Sequence, residues 1–377
     1  MAQMSEPSAW CLIDRDRISR NLELALGLLP QGVRFCAVLK ADAYGHGIAQ
    51  VVPLLREQGV PCIGITSNAE ARAVRAAGFT GTMIRLRAAT PQEIKGALKD
   101  GVEEQVGSLA TARQLRAIHG AAKTISGLHL ALNADGMSRD GLEIATKAGQ
   151  QECLQILDEI GQRIVGVCTH FPANDPEPLQ ESAALFTQQV SWVCDNSQLE
   201  RSALLSHAGS TLTLLSGVPV GTDMYRCGAI LYGFLKPELG FLPTMELQAR
   251  VVQVGDYPAG SSVGYDRDSR LEADRRLACI SIGYAGGYGR IAQDRGAVLI
   301  RDQLAPVLGK VSMNTIVADV SDIAAAQIGD VATVFGGSGP QAIGPDRATA
   351  QFGTILPDLF SDWGMRNPRI YRDHKGC

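Results

Sequence analysis

Eight candidate strands, most of them apolar runs, alternate with amphipathic stretches across residues 33–230 and constrain this chain more than any other feature of its sequence. These strands lie at 33–39, 62–66, 83–86, 103–106, 128–132, 165–170, 203–206 and 225–230. Between them fall segments of helical length with apolar residues on one face, such as 68–77, 91–99, 110–119 and 179–196. A short, wholly apolar run bounded by turn residues reads as a strand buried on both faces. Strand–helix alternation of this kind predicts parallel β/α units, and eight units suit a closed barrel. The rhythm changes near residue 240, where Lys-Pro-Glu-Leu-Gly-Phe-Leu-Pro at 236–243 is punctuated like a linker. Beyond it, short runs at 247–254, 277–282, 297–300, 305–311, 315–319 and 331–335 are separated by Gly- and Asp-rich turns, the pattern of a small β domain. The expected fold is α/β: a (β/α)8 TIM-type barrel over 9–240, then a smaller, mostly-β C-terminal domain over 241–377.

At 377 residues the chain is comfortable for two such domains. A net charge of −4 with no long basic run argues against nucleic acid as a partner. No apolar stretch approaches the ~18 residues of a membrane helix. The N-terminal residues 1–8 are short and polar and contain no signal peptide, so a cytoplasmic location is expected, or a periplasmic one if a leader was removed. Nine cysteines are scattered with no CxxC and no zinc-like spacing, so no metal site is expected.

The first run ends on Lys40, and Gly45 and Gly47 then interrupt the pattern before a helical stretch at 48–55. A lysine at the carboxyl end of a buried barrel strand sits where such folds place their active sites. Desolvation there lowers an ammonium pKa, so the amine can act as nucleophile or base. The run Ala-Val-Leu-Lys-Ala-Asp-Ala-Tyr-Gly-His-Gly, at 37–47, resembles the cofactor-lysine motif of the alanine racemase family, which uses pyridoxal 5'-phosphate (PLP). The resemblance extends over nearly the whole chain as separated motifs in the right order.

Residue by residue, the resemblance implies that Lys40 binds PLP covalently and that Tyr44 lies near its phosphate. Ser210, in Ser-His-Ala-Gly-Ser, matches the phosphate-binding serine, although Gly209 stands where the family usually has asparagine. Gly228 and Ala229 are implied to offer backbone N–H groups to the phosphate. Arg226 matches the arginine that donates to the pyridine nitrogen; arginine stays protonated, so it leaves that nitrogen without a proton. His170 and His207 end two strand-like runs and match a hydrogen-bonded shell around this arginine. In the second domain Ser-Val-Gly-Tyr, ending at Tyr265, resembles the segment of the second catalytic base. Tyr284 and Met313 lie in stretches that resemble the family's substrate-side motifs, with Gly286 where an aspartate is usual. Trp363 is the nearest match to an aromatic that the family places near the phosphate.

Two departures resemble the broad-specificity amino acid racemases, which act on lysine, arginine and other amino acids. Ala131 stands where typical alanine racemases have a lysine, with Asn133 as the next polar position and Arg139 retained to approach cofactor and substrate. Arg85 and Arg87 interrupt a run that is apolar in alanine racemases, and they are expected to help set the substrate range. The same branch implies that Cys36 and Cys62, on adjacent strands, are close enough for a disulfide. The expected function is a PLP-dependent, two-base racemase of amino acids with Lys40 and Tyr265 on opposite faces, in a homodimer with active sites at its interface. A narrow alanine racemase is the nearest alternative. A non-catalytic PLP-binding homeostasis protein lacks the β domain, and a decarboxylase of similar architecture requires a β-domain cysteine that has no convincing match here.

Overall fold

The computed structural model describes residues 7–120 and 126–373. They form two compact units, one built from Asn21–Ala43 and Ile48–Leu231, the other from the residues up to Arg20, Tyr44–Gly47 and the chain from Tyr232 onward. The first strand, β1 (Ala9–Asp14), belongs to the second of these.

The larger unit holds the eight expected strands: β2 (Arg34–Val38), β3 (Cys62–Ile65), β4 (Thr82–Arg85), β5 (Val102–Val106), β6 (Leu128–Ala131), β7 (Ile164–Cys168), β8 (Leu205–His207) and β9 (Met224–Cys227). All pair in parallel, in the order β8-β7-β6-β5-β4-β3-β2-β9. The ring closes between β8 and β9 through Asp223 N–H to Ser206 O at 2.8 Å and Arg226 N–H to Gly209 O at 2.9 Å. Two helices that follow strands start on reciprocal caps written into the sequence. Ser67 and Glu70 exchange hydrogen bonds at the start of Asn68–Ala76, and Thr90 and Glu93 do so for Pro91–Ala97.

Side chains alternate across each strand. Cys36, Cys62, Ile84 and Met224 form one buried cluster with Leu86 and Leu205 against it. Cys36 and Cys62 are register partners, as expected, and both are free thiols. A bond to Cys36 and burial push the Cys62 thiol well above its ordinary range. Arg85, the neighbour of Ile84, takes the other face. Its guanidinium is fully buried against Glu104 and Asn68, the first residue of the 68–76 helix. Arg87 pairs with Glu93 of the next helix. Arg85 is thus closed to solvent in an ion pair with a neighbouring strand, whereas the Arg87 side chain is 39% exposed beside Glu93.

In the other unit, β10 (Met245–Tyr257), β11 (Ser262–Val263), β12 (Ser269–Arg270), β13 (Arg275–Ile280), β14 (Ala297–Ile300), β15 (Gln303–Leu308), β16 (Ile316–Asp319), β17 (Val331–Phe335) and β18 (Arg369–Arg372) join β1. The main sheet runs β13-β16-β15-β14-β17-β10-β1-β18, and β13 pairs back onto β10. β1 is antiparallel to β10 and parallel to β18, so the start of the chain completes a sheet made by its end. Two helices, Pro345–Phe352 and Leu356–Arg366, break the expected β pattern. They bring Phe360 and Trp363 onto Phe335, with Phe352 against Trp363, in an aromatic core. Trp363 is fully buried and donates to Gly287 O at 3.1 Å, which occupies its indole N–H within this core.

Candidate active site

Lys40 follows Leu39 at the carboxyl end of β2. The next four residues all have positive φ: Ala41 53°, Asp42 52°, Ala43 59° and Tyr44 51°. A left-handed turn of non-glycine residues costs of order 1–2 kcal/mol per residue. Local bonds oppose that cost. Ala43 N–H donates to Leu39 O at 2.9 Å, and Ala41 N–H donates to Glu70 Oε1 at 2.8 Å. The Asp42 carboxylate accepts the N–H of Ile48, the first residue of the following helix, at 2.8 Å. Glu70 also accepts the N–H groups of Thr66 and Ser67, so one buried carboxylate braces the turn from β3. Burial lowers the Lys40 pKa first, the charge of Arg139 lowers it further, and Glu70 opposes both. The amine is thereby shifted toward its neutral, proton-accepting form.

Arg226, on β9, is buried, and four of its five N–H groups point into its own unit. Nη1 donates to His207 Nδ1 at 2.9 Å and His207 O at 2.6 Å. Nη2 donates to Thr169 O at 2.7 Å, Ala208 O at 3.1 Å and His170 Nδ1 at 3.3 Å. Nε has no hydrogen-bond partner among the described residues. The histidine nitrogens facing a guanidinium must accept, so both rings carry no proton there. Burial, then Arg226, Arg139 and Lys40, push His170 down to about 4, and burial with Arg226 and His129 holds His207 well below its ordinary range.

Ser210 caps the short helix Thr211–Ser216 in a reciprocal pair with Thr213, which also donates to Asn174 Oδ1 at 2.9 Å. Gly209 is required by packing: a Cβ there would lie 2.3 Å from the Tyr225 ring. That accounts for the missing asparagine. Gly228 and Ala229 follow β9 directly. Arg139 is half-exposed and bonds Asp140 at 3.4 Å, but its charge reaches Lys40, His170 and Arg226. Asn133 binds Glu143 and Ser138, fixing the loop that leads to Arg139.

The other unit holds the remaining expected residues. Tyr44 is buried there, its ring 5.1 Å from that of Tyr232. Tyr265 is 64% exposed, Met313 53% and Tyr284 38%. Tyr284 N–H bonds Ser312 O and Ala285 N–H bonds Met313 O, so Tyr284 and Met313 are carried on paired backbone segments.

Residues 13–236 match the family described as alanine racemase, N-terminal domain, and residues 244–371 match alanine racemase, C-terminal domain. The chain belongs to the alanine racemase family. It is therefore an amino acid racemase, an isomerase, in a family of PLP enzymes. It is 41% identical to a broad specificity amino-acid racemase of Pseudomonas putida, over 97% of this chain and 90% of that one. It is 36% identical to a lysine racemase of Proteus mirabilis over the same shares. The alanine racemase of Clostridium difficile 630 has the same fold, with a TM-score of 0.89 at 24% identity over 99% of this chain and 97% of that one.

The structure also places Glu70 and Asp42 beside Lys40, and His129 and Glu103 in a chain of hydrogen bonds behind His207, none of which was singled out in the sequence. The last two showed one faint signal each: a histidine inside the apolar run at 128–132, and a carboxylate at the start of a barrel strand.

Proposed function

We propose that this racemase interconverts the L and D forms of a broad range of amino acids, basic ones included, with PLP held covalently by Lys40. The observation that carries the cofactor reading is Arg226. Its guanidinium is immobilised by five acceptors and keeps one N–H, at Nε, for a group outside the described residues. A ring nitrogen is an acceptor that this donor suits. When bound, PLP supplies the electron sink that makes the substrate Cα–H acidic. Arg226 binds that ring without giving it a proton, which keeps the sink modest and favours simple proton exchange.

The chain's own residues handle the rest. Ser210, Gly228, Ala229 and Tyr44 are assigned to the phosphate, and Arg139 to the substrate carboxylate. Lys40, shifted toward its neutral form, takes or returns a proton on one face of Cα. Tyr265 serves the other face, with Tyr284 and Met313 beside the substrate. Inversion requires a proton to leave one face and arrive on the other, and two fixed groups do this without a base swinging through an enclosed site. Tyr265 is largely exposed on its own chain, which supports a homodimer in which it faces the partner's Lys40. A broad range is favoured over alanine alone by the level of identity to the broad specificity and lysine racemases. A racemisation assay across alanine, serine, lysine and arginine tests this. Turnover of alanine alone refutes it.

A further inference from the structure

We propose that Glu103, at the amino-terminal mouth of the barrel, is a positioning residue for the racemase reaction and acts on Arg226 through two buried histidines. The inference rests on the function proposed above. The connection is continuous: Glu103 Oε2 to His129 Nε2 at 2.8 Å, His129 Nδ1 to His207 Nε2 at 3.0 Å, and His207 Nδ1 to Arg226 Nη1 at 2.9 Å. His129 and His207 are both fully buried, with rings edge to face and centroids 4.9 Å apart.

The two ends of this relay fix every proton in it. Arginine can only donate and a carboxylate can only accept. His207 Nδ1 must therefore accept from Arg226, so a neutral His207 carries its proton on Nε2. That proton goes to His129 Nδ1, so His129 carries its own on Nε2 and delivers it to Glu103. A second proton on either ring sets two N–H groups against each other. Without Glu103 as acceptor the His129 Nε2–H loses its partner and only the Arg226 end still orients the rings; a turn of His129 to the Nδ1–H form would carry His207 with it and set a donor against Arg226 Nη1. The carboxylate thus reinforces, from the opposite end of the barrel to Lys40, the tautomer of His207 that Arg226 needs.

Two further observations support a built relay. Gly166, on β7 between β6 and β8, leaves room for it: a Cβ there would lie 2.3 Å from His129 Nδ1 and 2.8 Å from Leu205 O. Its φ is not positive, so the absence of a side chain answers to space alone. Glu103 and His129 also line a cavity of about 560 Å³ with Arg34, Thr82, Val165 and Asp223, which lie at or near the starts of barrel strands. The carboxylate side chain is 23% exposed, so it reaches water while the histidines do not.

The test uses the full-length holoenzyme labelled with 15N in its histidine rings, read by long-range 1H–15N spectra. In the wild type, His129 and His207 are expected as neutral Nε2–H rings. Glu103→Leu is expected to change the tautomer of at least one of them and to lower kcat of order 10–100-fold, with KM moved less, as displaced catalytic groups do. Glu103→Gln keeps an acceptor oxygen and is expected to retain both tautomers and recover most of the loss in kcat. An Nδ1–H or doubly protonated ring in the wild type overturns the proposal, as does a Glu103→Leu enzyme with both tautomers and kcat unchanged. Should Glu103→Leu not fold, Gly166→Ala crowds His129 without touching a charge, and unchanged ring signals there overturn it equally. The spectra do not depend on turnover. An active racemase without the relay refutes this proposal alone, whereas an intact relay in a protein that racemises nothing refutes the proposed function.

Discussion

Arg85 Nε and Glu104 Oε2 lie 2.8 Å apart across β4 and β5, with side-chain exposures of 0% and 3%. Burial raises the Glu104 pKa and Arg85 opposes it. Removing one partner of such a pair leaves a buried charge, which typically costs about 3–5 kcal/mol. Arg85→Leu should therefore lower the urea midpoint sharply while leaving the ratio of alanine to lysine racemisation per folded molecule unchanged. A changed ratio at unchanged stability would make Arg85 a specificity residue.

His170 gives the molecule a pH dependence of predictable sign. Its pKa falls from 6.5 to about 4 on folding, so between those values the unfolded chain binds more protons than the folded one. The contribution to stability is complete above about pH 6.5 and is lost as pH falls toward 4. The shift corresponds to about 3 kcal/mol. Denaturant midpoints measured from pH 7.5 to 4 should decline less steeply for His170→Asn, which still offers Arg226 an acceptor. Parallel curves for the two proteins would show that His170 is not the group titrating.

Gly209 predicts a specific incompatibility. Installing the asparagine usual in the family places Cβ 2.3 Å from Tyr225 Cδ1, an overpacking cost of about 1–3 kcal/mol. Gly209→Asn should be destabilised, and Tyr225→Leu in the same chain should recover part of the loss. Additive effects in that double-mutant cycle would mean that the ring is not the obstacle.

A mixing experiment tests the division of labour proposed for Lys40 and Tyr265. Lys40→Ala and Tyr265→Ala chains should each be nearly inactive. Refolded together, they form hybrid dimers in which one of two sites has both bases, so a hybrid should show about half the activity of a wild-type dimer. No recovery, with hybrids confirmed by native mass spectrometry, would put both bases on one chain.

Much of this architecture was legible in the residues. Most of the eight barrel strands were visible because parallel strands buried on both faces read as apolar runs, while β5, Val-Glu-Glu-Gln-Val, was placed by the strand–helix rhythm around it. Pairing of β1 with β10 and β18 was not visible, because Trp10–Ile13 carries no mark of which distant strand it joins. The two C-terminal helices were missed for a related reason: their apolar residues answer to an aromatic core assembled from three separate segments. At the site, Lys40 stood out as a charge at the end of an apolar run, and Arg226 by the resemblance of its motif to the family's. Glu70 did not, since a capping glutamate and a brace for the lysine turn look alike in sequence. The burial of Arg85 was not legible because a strand periodicity of two does not say which face meets the helices.

The left-handed turn after Lys40 has a consequence in time. Four residues in this conformation will not persist in an isolated segment, where nothing offsets their cost. The groups that brace the turn, Glu70 and the backbone of Ile48, lie after Lys40 in the chain, and Glu70 emerges thirty residues later. On a growing or unfolded polypeptide the lysine is an ordinary flexible amine. It becomes a presented one only after β3 and the helix bearing Glu70 have docked. On the proposed role of Lys40, cofactor capture therefore follows docking of β3 and the helix bearing Glu70.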